Sequence, residues 1–222
     1  MHVMSLNRNI MTYNKALEVK RTWLLVVLMV LFAVSSKAQY QVNGNANQTA
    51  CNCWQLTSAV NSQNGSVWNV NLFDLSNPFN FTFEVYLGCN DAGADGLAFV
   101  LQPLSVNAGS FGGGIGYAGI NPSLAVEMDN YQNTGEPIFD HMAIQSNGNV
   151  SHVGANNLAG PVQISATTGN VADCAWHELN VTWDPVTQTM EVYFDGAFRL
   201  SYTGDIINNI FGGNPNVYWG FT

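Results

Sequence analysis

Between Phe79 and Leu87 every second residue is apolar: Phe79, Phe81, Phe83, Val85 and Leu87, with Asn80, Thr82, Glu84 and Tyr86 between them. A period of two puts all five on one face of an extended strand and would scatter them around a helix. The pattern recurs. Leu179, Val181 and Trp183 alternate within His177 to Asp184; Met190, Val192 and Phe194 run into Asp195-Gly196, a hairpin signal, followed by Phe198, Leu200 and Tyr202. Val67 to Leu72 alternates within an expected strand from Gly65 to Phe73, and the unbroken apolar run Gly96 to Leu101 suits a strand buried on both faces. Further strands are expected over Ser123 to Asn130, His141 to Gln145 and Val217 to Phe221, with a glycine-rich loop from Asn107 to Gly119 and a loose entry strand or linker over the polar residues 39–50. Short strands with turns at regular spacing predict an all-β antiparallel sandwich forming a single domain over residues 39–222.

The first 38 residues are of another kind. Lys20-Arg21 precedes an apolar run from Trp23 to Val34, and Ser36-Lys37-Ala38 offers small residues that a signal peptidase reads. That run falls well short of the roughly 20 residues that span a bilayer. Residues 1–38 are therefore expected to be a cleaved signal peptide. The remainder is expected to be secreted or at the cell surface, without membrane insertion. Residues 39–222 carry one base, Arg199, against fourteen acids, a net charge of −13. A basic patch for nucleic acid or anionic lipid is thereby excluded; cations, neutral sugars and basic partners remain.

All four cysteines, Cys51, Cys53, Cys89 and Cys174, lie in the exported part, and an even number suits disulfides outside the cytoplasm. Cys51 and Cys53 are too close on an extended strand to bridge each other readily. Two bridges would then join Cys51 to Cys89 and Cys53 to Cys174, or Cys51 to Cys174 and Cys53 to Cys89. A zinc site is the lesser alternative, because paired C-x-x-C elements are missing.

The stretch with the most chemistry is Val126-Glu127-Met128-Asp129-Asn130-Tyr131-Gln132-Asn133, followed by Glu136-Pro137-Ile138-Phe139-Asp140-His141. Glu127 and Asp129, two apart on a strand, point from the same face. Asp129, Asn133, Glu136 and a backbone carbonyl near Tyr131 make a hard-oxygen set suited to Ca²⁺. Glu127 and His141, sharing Asp129 and Glu136, would suit a transition ion such as Mn²⁺, since an imidazole joins the carboxylates. Asp140 and Ser151 stand near this set in the sequence, as outer-layer or surface groups. His152 and His177 are expected to be structural.

The motif Glu127-x-Asp129-x-x-x-Asn133, then Glu136-Pro137 and His141, resembles the metal signature of the L-type (legume-like) lectins, E-x-D-x-x-x-N, a short gap, then D-P-x-x-x-H. The resemblance extends from about residue 50 to the end of the chain. Ala94-Asp95-Gly96 before an apolar strand is similar to the family's A-D-G, in which the Asp follows a cis peptide and accepts hydrogen bonds from sugar hydroxyls. Gly114 to Ile120 is similar to the loop that offers a backbone N–H, here near Gly116. Trp176-His177, Val181 to Asp184 and Val192 to Gly196 fall in the family's order. Asp140 before His141 is like the exported bacterial branch. The resemblance implies a concanavalin A-like jelly roll that binds glycans through Asp95, Gly116, Tyr131 and Asn133, with metal ligands Glu127, Asp129, Tyr131, Asn133, Glu136 and His141. Two departures stand out. Glu136 replaces the usual Asp, and the sequence stops at Thr222, ahead of the loop that most discriminates sugars in the family, so the C-terminal strands are expected to be incomplete.

The function expected on these grounds is metal-dependent carbohydrate binding without catalysis, by a domain that could also form oligomers. A glycoside hydrolase on the same sandwich is one alternative, ranked last. Retaining enzymes of that kind need a second carboxylate on the strand, and Gln132 stands where it would be. The other alternative is an adhesive or structural sandwich whose cations only stabilise the fold.

Overall fold

The computed structural model describes residues 39–109 and 112–222. The expected signal segment lies outside the described residues. Among the described residues fourteen strands run in chain order: β1 (Tyr40–Gly44), β2 (Asn47–Ala50), β3 (Cys53–Gln55), β4 (Gly65–Asn69), β5 (Phe73–Asp74), β6 (Phe79–Val85), β7 (Gly96–Gln102), β8 (Leu124–Asp129), β9 (His141–Ser146), β10 (Asn157–Gln163), β11 (His177–Asp184), β12 (Thr189–Phe194), β13 (Ala197–Thr203) and β14 (Asn216–Phe221). A short helix, α1 (Ile206–Asn209), follows β13 and is capped by Asp205. Among the described residues no helix is long and apolar enough to cross a membrane.

The strands form the expected antiparallel sandwich. One sheet has the order β1-β4-β14-β7-β8-β9-β10, with β5 added beside β14; the other is β13-β12-β11-β6. The alternating residues lie where their period requires. Leu179, Val181, Trp183, Met190, Val192 and Phe194 face Phe99, Leu101, Val126, Met128, Met142 and Ile144 in one buried cluster. Trp183 enters this core without an unmet donor, because its indole N–H reaches the Leu75 carbonyl at 2.8 Å.

The structure adds local detail to these expectations. The strand expected from Gly65 to Phe73 ends at Asn69, whose side chain accepts the Asn71 N–H at 2.9 Å and turns the chain. Residues 39–50 hold an entry strand, β1, and also part of a β2–β3 hairpin. Strand β10 breaks the alternation signal because it contains Gly160-Pro161 and shifts register along β9. Gly160 is required there, since a Cβ would come within 2.7 Å of the Met142 carbonyl oxygen.

The expected disulfide pairings are also corrected. Cys89 bridges Cys174, while Cys51 and Cys53 are free thiols. The β6–β11 ladder sets Val85 opposite His177, so the chain leaving β6 and the chain entering β11 emerge side by side. The Cys174 N–H bonds to the Gly88 carbonyl at 2.9 Å, and the two half-cystines follow. Cys51 sits in the turn of β2–β3, and Cys53 pairs with Ala50 in that separate two-stranded sheet. Closing a loop of 85 residues should stabilise the fold substantially. Replacing Cys89 and Cys174 together by Ala is expected to lower the unfolding free energy by about 2–5 kcal/mol. Replacing Cys51 and Cys53 by Ser should change it by less than about 0.5 kcal/mol, both read from denaturant titrations.

Candidate functional site

Strand β8 lies between β7 and β9. Leu124, Val126 and Met128 point into the sandwich, so Ala125, Glu127 and Asp129 point to the sheet's other face. On that outer face, Asp129 lies opposite His141 and Gly96, and Glu127 opposite Ala143 and Ala98. These small residues leave room for loops to lie on the sheet. Ile115, Tyr117 and Ile120 from the glycine-rich loop pack there with Trp68, Ala98, Val100 and Ala125 as a second apolar cluster. The outer face is thus covered, and Glu127, Asp129 and His141 are buried at 1%, 4% and 1% exposure.

A buried carboxylate needs partners, and Glu127 draws three. Tyr117 donates its hydroxyl to Oε2, His152 Nε2 stands 2.5 Å from Oε1, and Gln145 Nε2 reaches the same oxygen at 3.4 Å. Burial, then the charge of Glu127, pushes the Tyr117 hydroxyl far above its ordinary range. Asp129 is pushed up to about 7, chiefly by burial, against the lowering effect of the Tyr131 N–H at 2.8 Å on Oδ1. Glu136 accepts the Asn133 N–H on Oε2 at 2.7 Å, a reach that its extra methylene permits where an Asp is usual.

His141 turns Nδ1 to the Phe139 carbonyl at 3.4 Å, which places the ring proton there and leaves Nε2 as a bare lone pair. That Nε2 is buried without a hydrogen-bond partner and lies 3.9 Å from Asp129 Oδ2. Burial, then the neighbouring His152, lowers its pKa and keeps it neutral. Donor atoms of Glu136, His141 and His152 all lie within 4.8 Å of one another. A bare imidazole nitrogen converging with carboxylates fits a cation.

The other expected residues are placed unevenly. Asp95, half-buried, precedes β7 after a cis Ala94–Asp95 peptide, and its carbonyl accepts the Asn130 N–H at 3.3 Å. The glycine beside its carboxylate is Gly113, where a Cβ would lie 3.9 Å from Oδ1. Gly116 instead packs on Thr222, whose Cβ a side chain would meet at 2.5 Å. Tyr131 and Asn133 are exposed on the loop between β8 and β9. Asp140 faces away to accept the Val171 N–H at 2.7 Å, and Ser151 is exposed. His177 is structural, held by Asp195 at 2.8 Å and Asp173 at 3.1 Å.

His152 and Tyr117, which join the cluster, have no spacing signal. His152 reaches it only because the β9–β10 loop folds back over the sheet. Tyr117 was legible merely as part of a glycine loop.

Residues 33–222 match the family model of the legume lectin beta-barrel domain. The pesticidal crystal protein Cry22Aa of Bacillus thuringiensis is 29% identical over 166 residues, covering 65% of this chain and 22% of that protein. The chain therefore spans about a fifth of that relative's length. Among solved structures, basic winged bean lectin with Tn-antigen superposes with a TM-score of 0.64 at 18% identity, covering 84% of this chain and 82% of that one. The Bauhinia forficata lectin in complex with GalNAc gives 0.64 at 22%, covering 85% and 86%. The exoplasmic/lumenal domain of VIP36 in its Ca²⁺-bound form gives 0.64 at 20%, covering 85% and 77%. These superpositions establish the shared fold.

Tyr117→Phe removes a donor from a carboxylate with almost no solvent contact. Urea titration in EDTA should show a loss of about 1–3 kcal/mol.

Proposed function

This chain belongs to the legume lectin beta-barrel domain family, and on that premise we propose that it binds neutral glycans without catalysis, outside the cytoplasm, at a site held in shape by cations. The observation that carries this reading is one tether. The Asp95 carbonyl accepts the N–H of Asn130, the residue directly after Asp129, so the sugar-acceptor candidate and the acid–imidazole cluster share one strand end. Asp95 offers carboxylate oxygens, Asn133 an amide and the glycine loop a backbone N–H for sugar hydroxyls. Tyr131, 43% exposed, offers an aromatic face for sugar C–H groups. The sugars held by the structural relatives, GalNAc and Tn-antigen, belong to this ligand class.

For the cations, Asp129, Asn133, Glu136 and the Tyr131 carbonyl are the oxygen set for Ca²⁺. Glu127 and His141, with Asp129 and Glu136, are the set for a transition ion such as Mn²⁺. A bound cation supplies positive charge among acids that otherwise repel, and it reduces the ordering cost of ligand binding. Export is supported by the Cys89–Cys174 bridge, which belongs to oxidising compartments. Non-catalysis is supported by Gln132, an exposed amide bonded to the Glu136 carbonyl at 3.3 Å, where a hydrolase would need a second acid.

Glycan-array binding should vanish in EDTA and return with Ca²⁺. Asp95→Ala should keep its melting temperature yet weaken glycan binding about tenfold to a hundredfold, the loss of a charge-assisted hydrogen bond. Binding that survives both changes would sink this mechanism; calcium-raised stability with no glycan bound would leave a structural sandwich.

The cation affinity should also depend on pH. Asp129, raised to about 7 by burial, holds a proton below that pH that a cation must displace. His141, lowered by burial, is already neutral. Apparent affinity is expected to fall by about tenfold per pH unit below 7 and to level off above it. Calorimetry in buffers of differing ionisation enthalpy would count the proton released.

A further inference from the structure

We propose that His152 is a metal ligand, and that together with His141 it makes the transition-ion position a two-imidazole site selective for Zn²⁺-class ions over Mn²⁺. This rests on the reading above that a transition ion is held beside Glu127 and His141. No spacing in the sequence marks His152 as a ligand; its position in the fold does.

Three observations converge. Glu136, His141 and His152 form one donor cluster, each offering a ligand atom within 4.8 Å of the others. The two rings stand edge to face at 4.7 Å between centroids, which brings both imidazoles to the same place on the sheet. His141 Nε2, on a side chain 1% exposed, has no hydrogen-bond partner. A histidine that merely filled space would leave that lone pair unexplained.

The position is also built. The His152 carbonyl accepts Asn157 Nδ2 at 3.0 Å, and the Ser151 carbonyl accepts Asn149 Nδ2 at 2.6 Å, which pins the loop from both sides. The side chain is 11% exposed and lies against Glu127 Oε1. His177, the remaining histidine among the described residues, has both ring nitrogens engaged by Asp195 and Asp173. Carboxylate-only sets suit Mn²⁺ and Ca²⁺, whereas each added imidazole favours the later, softer ions of the series. Two imidazoles with Glu127, Asp129 and Glu136 therefore point to Zn²⁺, with Co²⁺ and Cu²⁺ as spectroscopic substitutes.

The test uses the chelator-stripped protein. Competition titrations should give Zn²⁺ an affinity at least about tenfold above Mn²⁺, and His152→Ala should erase most of that preference while Mn²⁺ affinity changes little. Pulsed electron paramagnetic resonance of the Cu²⁺-loaded wild type should count two bound imidazoles, and this measurement stands even if the variant folds poorly. One imidazole in the wild type, or equal losses of Zn²⁺ and Mn²⁺ in the variant, would overturn the role of His152 and leave the cation-held glycan site intact. No ion bound by the wild type at all would overturn both.

Discussion

A carboxylate at 1% exposure on the outer face of a central strand is the constraint around which this molecule is arranged. Glu127 cannot be buried there unpartnered. Its partners come from separate stretches: Tyr117 from the loop before β8, Gln145 from β9 and His152 from the loop after β9. Each partner fixes its own stretch on the sheet. The apolar cluster of Ile115, Ile120 and Ala125 then closes over the loop that Tyr117 anchors. Satisfying one acid and covering one face of the large sheet are the same structural event.

The strand content was legible because burial on one face imposes a period of two. Phe79 to Val85 and His177 to Asp184 pair in register from Phe79↔Trp183 to Val85↔His177, with their apolar sides inward. Glu127, Asp129 and His141 were legible as a set because a strand period and a short return bring them to one face. What stayed hidden depends on contacts that spacing does not encode. Strand β10 lost its pattern to Gly160-Pro161. The disulfide partners follow from the β6–β11 register, which four cysteine positions alone do not give. His152 arrives through a loop that runs back along the sheet, and Gly113 rather than Gly116 lies beside Asp95 because Gly116 is taken up by packing on Thr222.

Electrostatics and packing oppose each other at this place. Burial raises Asp129 and lowers His141, so the fold alone drives both groups toward neutrality. In a domain with fourteen acids and one base, no Lys or Arg is spare to compensate; Arg199 is committed to the Gln163 carbonyl at 2.7 Å. The compensation available within the cluster is an imidazole. Before an ion binds, His152, raised chiefly by its bond to Glu127, plays that part most directly for Glu127. Asp129 and Glu136 have these imidazoles nearby but no hydrogen-bonded base of their own, which makes a divalent cation the natural counter-charge.

The same two carboxylates also set the exposed loop. Asp129 Oδ1 accepts the Tyr131 N–H at 2.8 Å, and Glu136 Oε2 accepts the Asn133 N–H at 2.7 Å. Asp129 keeps Oδ2 toward His141, and Glu136 also stands with His141 and His152. The backbone of the two exposed residues that would meet a sugar is therefore held by the acids that would meet a cation. Neutralising those acids by protons or by a metal has different consequences for the loop. A protonated carboxyl keeps less acceptor strength for an N–H, whereas a metal-bound carboxylate retains its charge and gains a fixed position. Order at Tyr131 and Asn133 thus follows the charge state of Asp129 and Glu136, and contact between ion and glycan is not required for one to depend on the other.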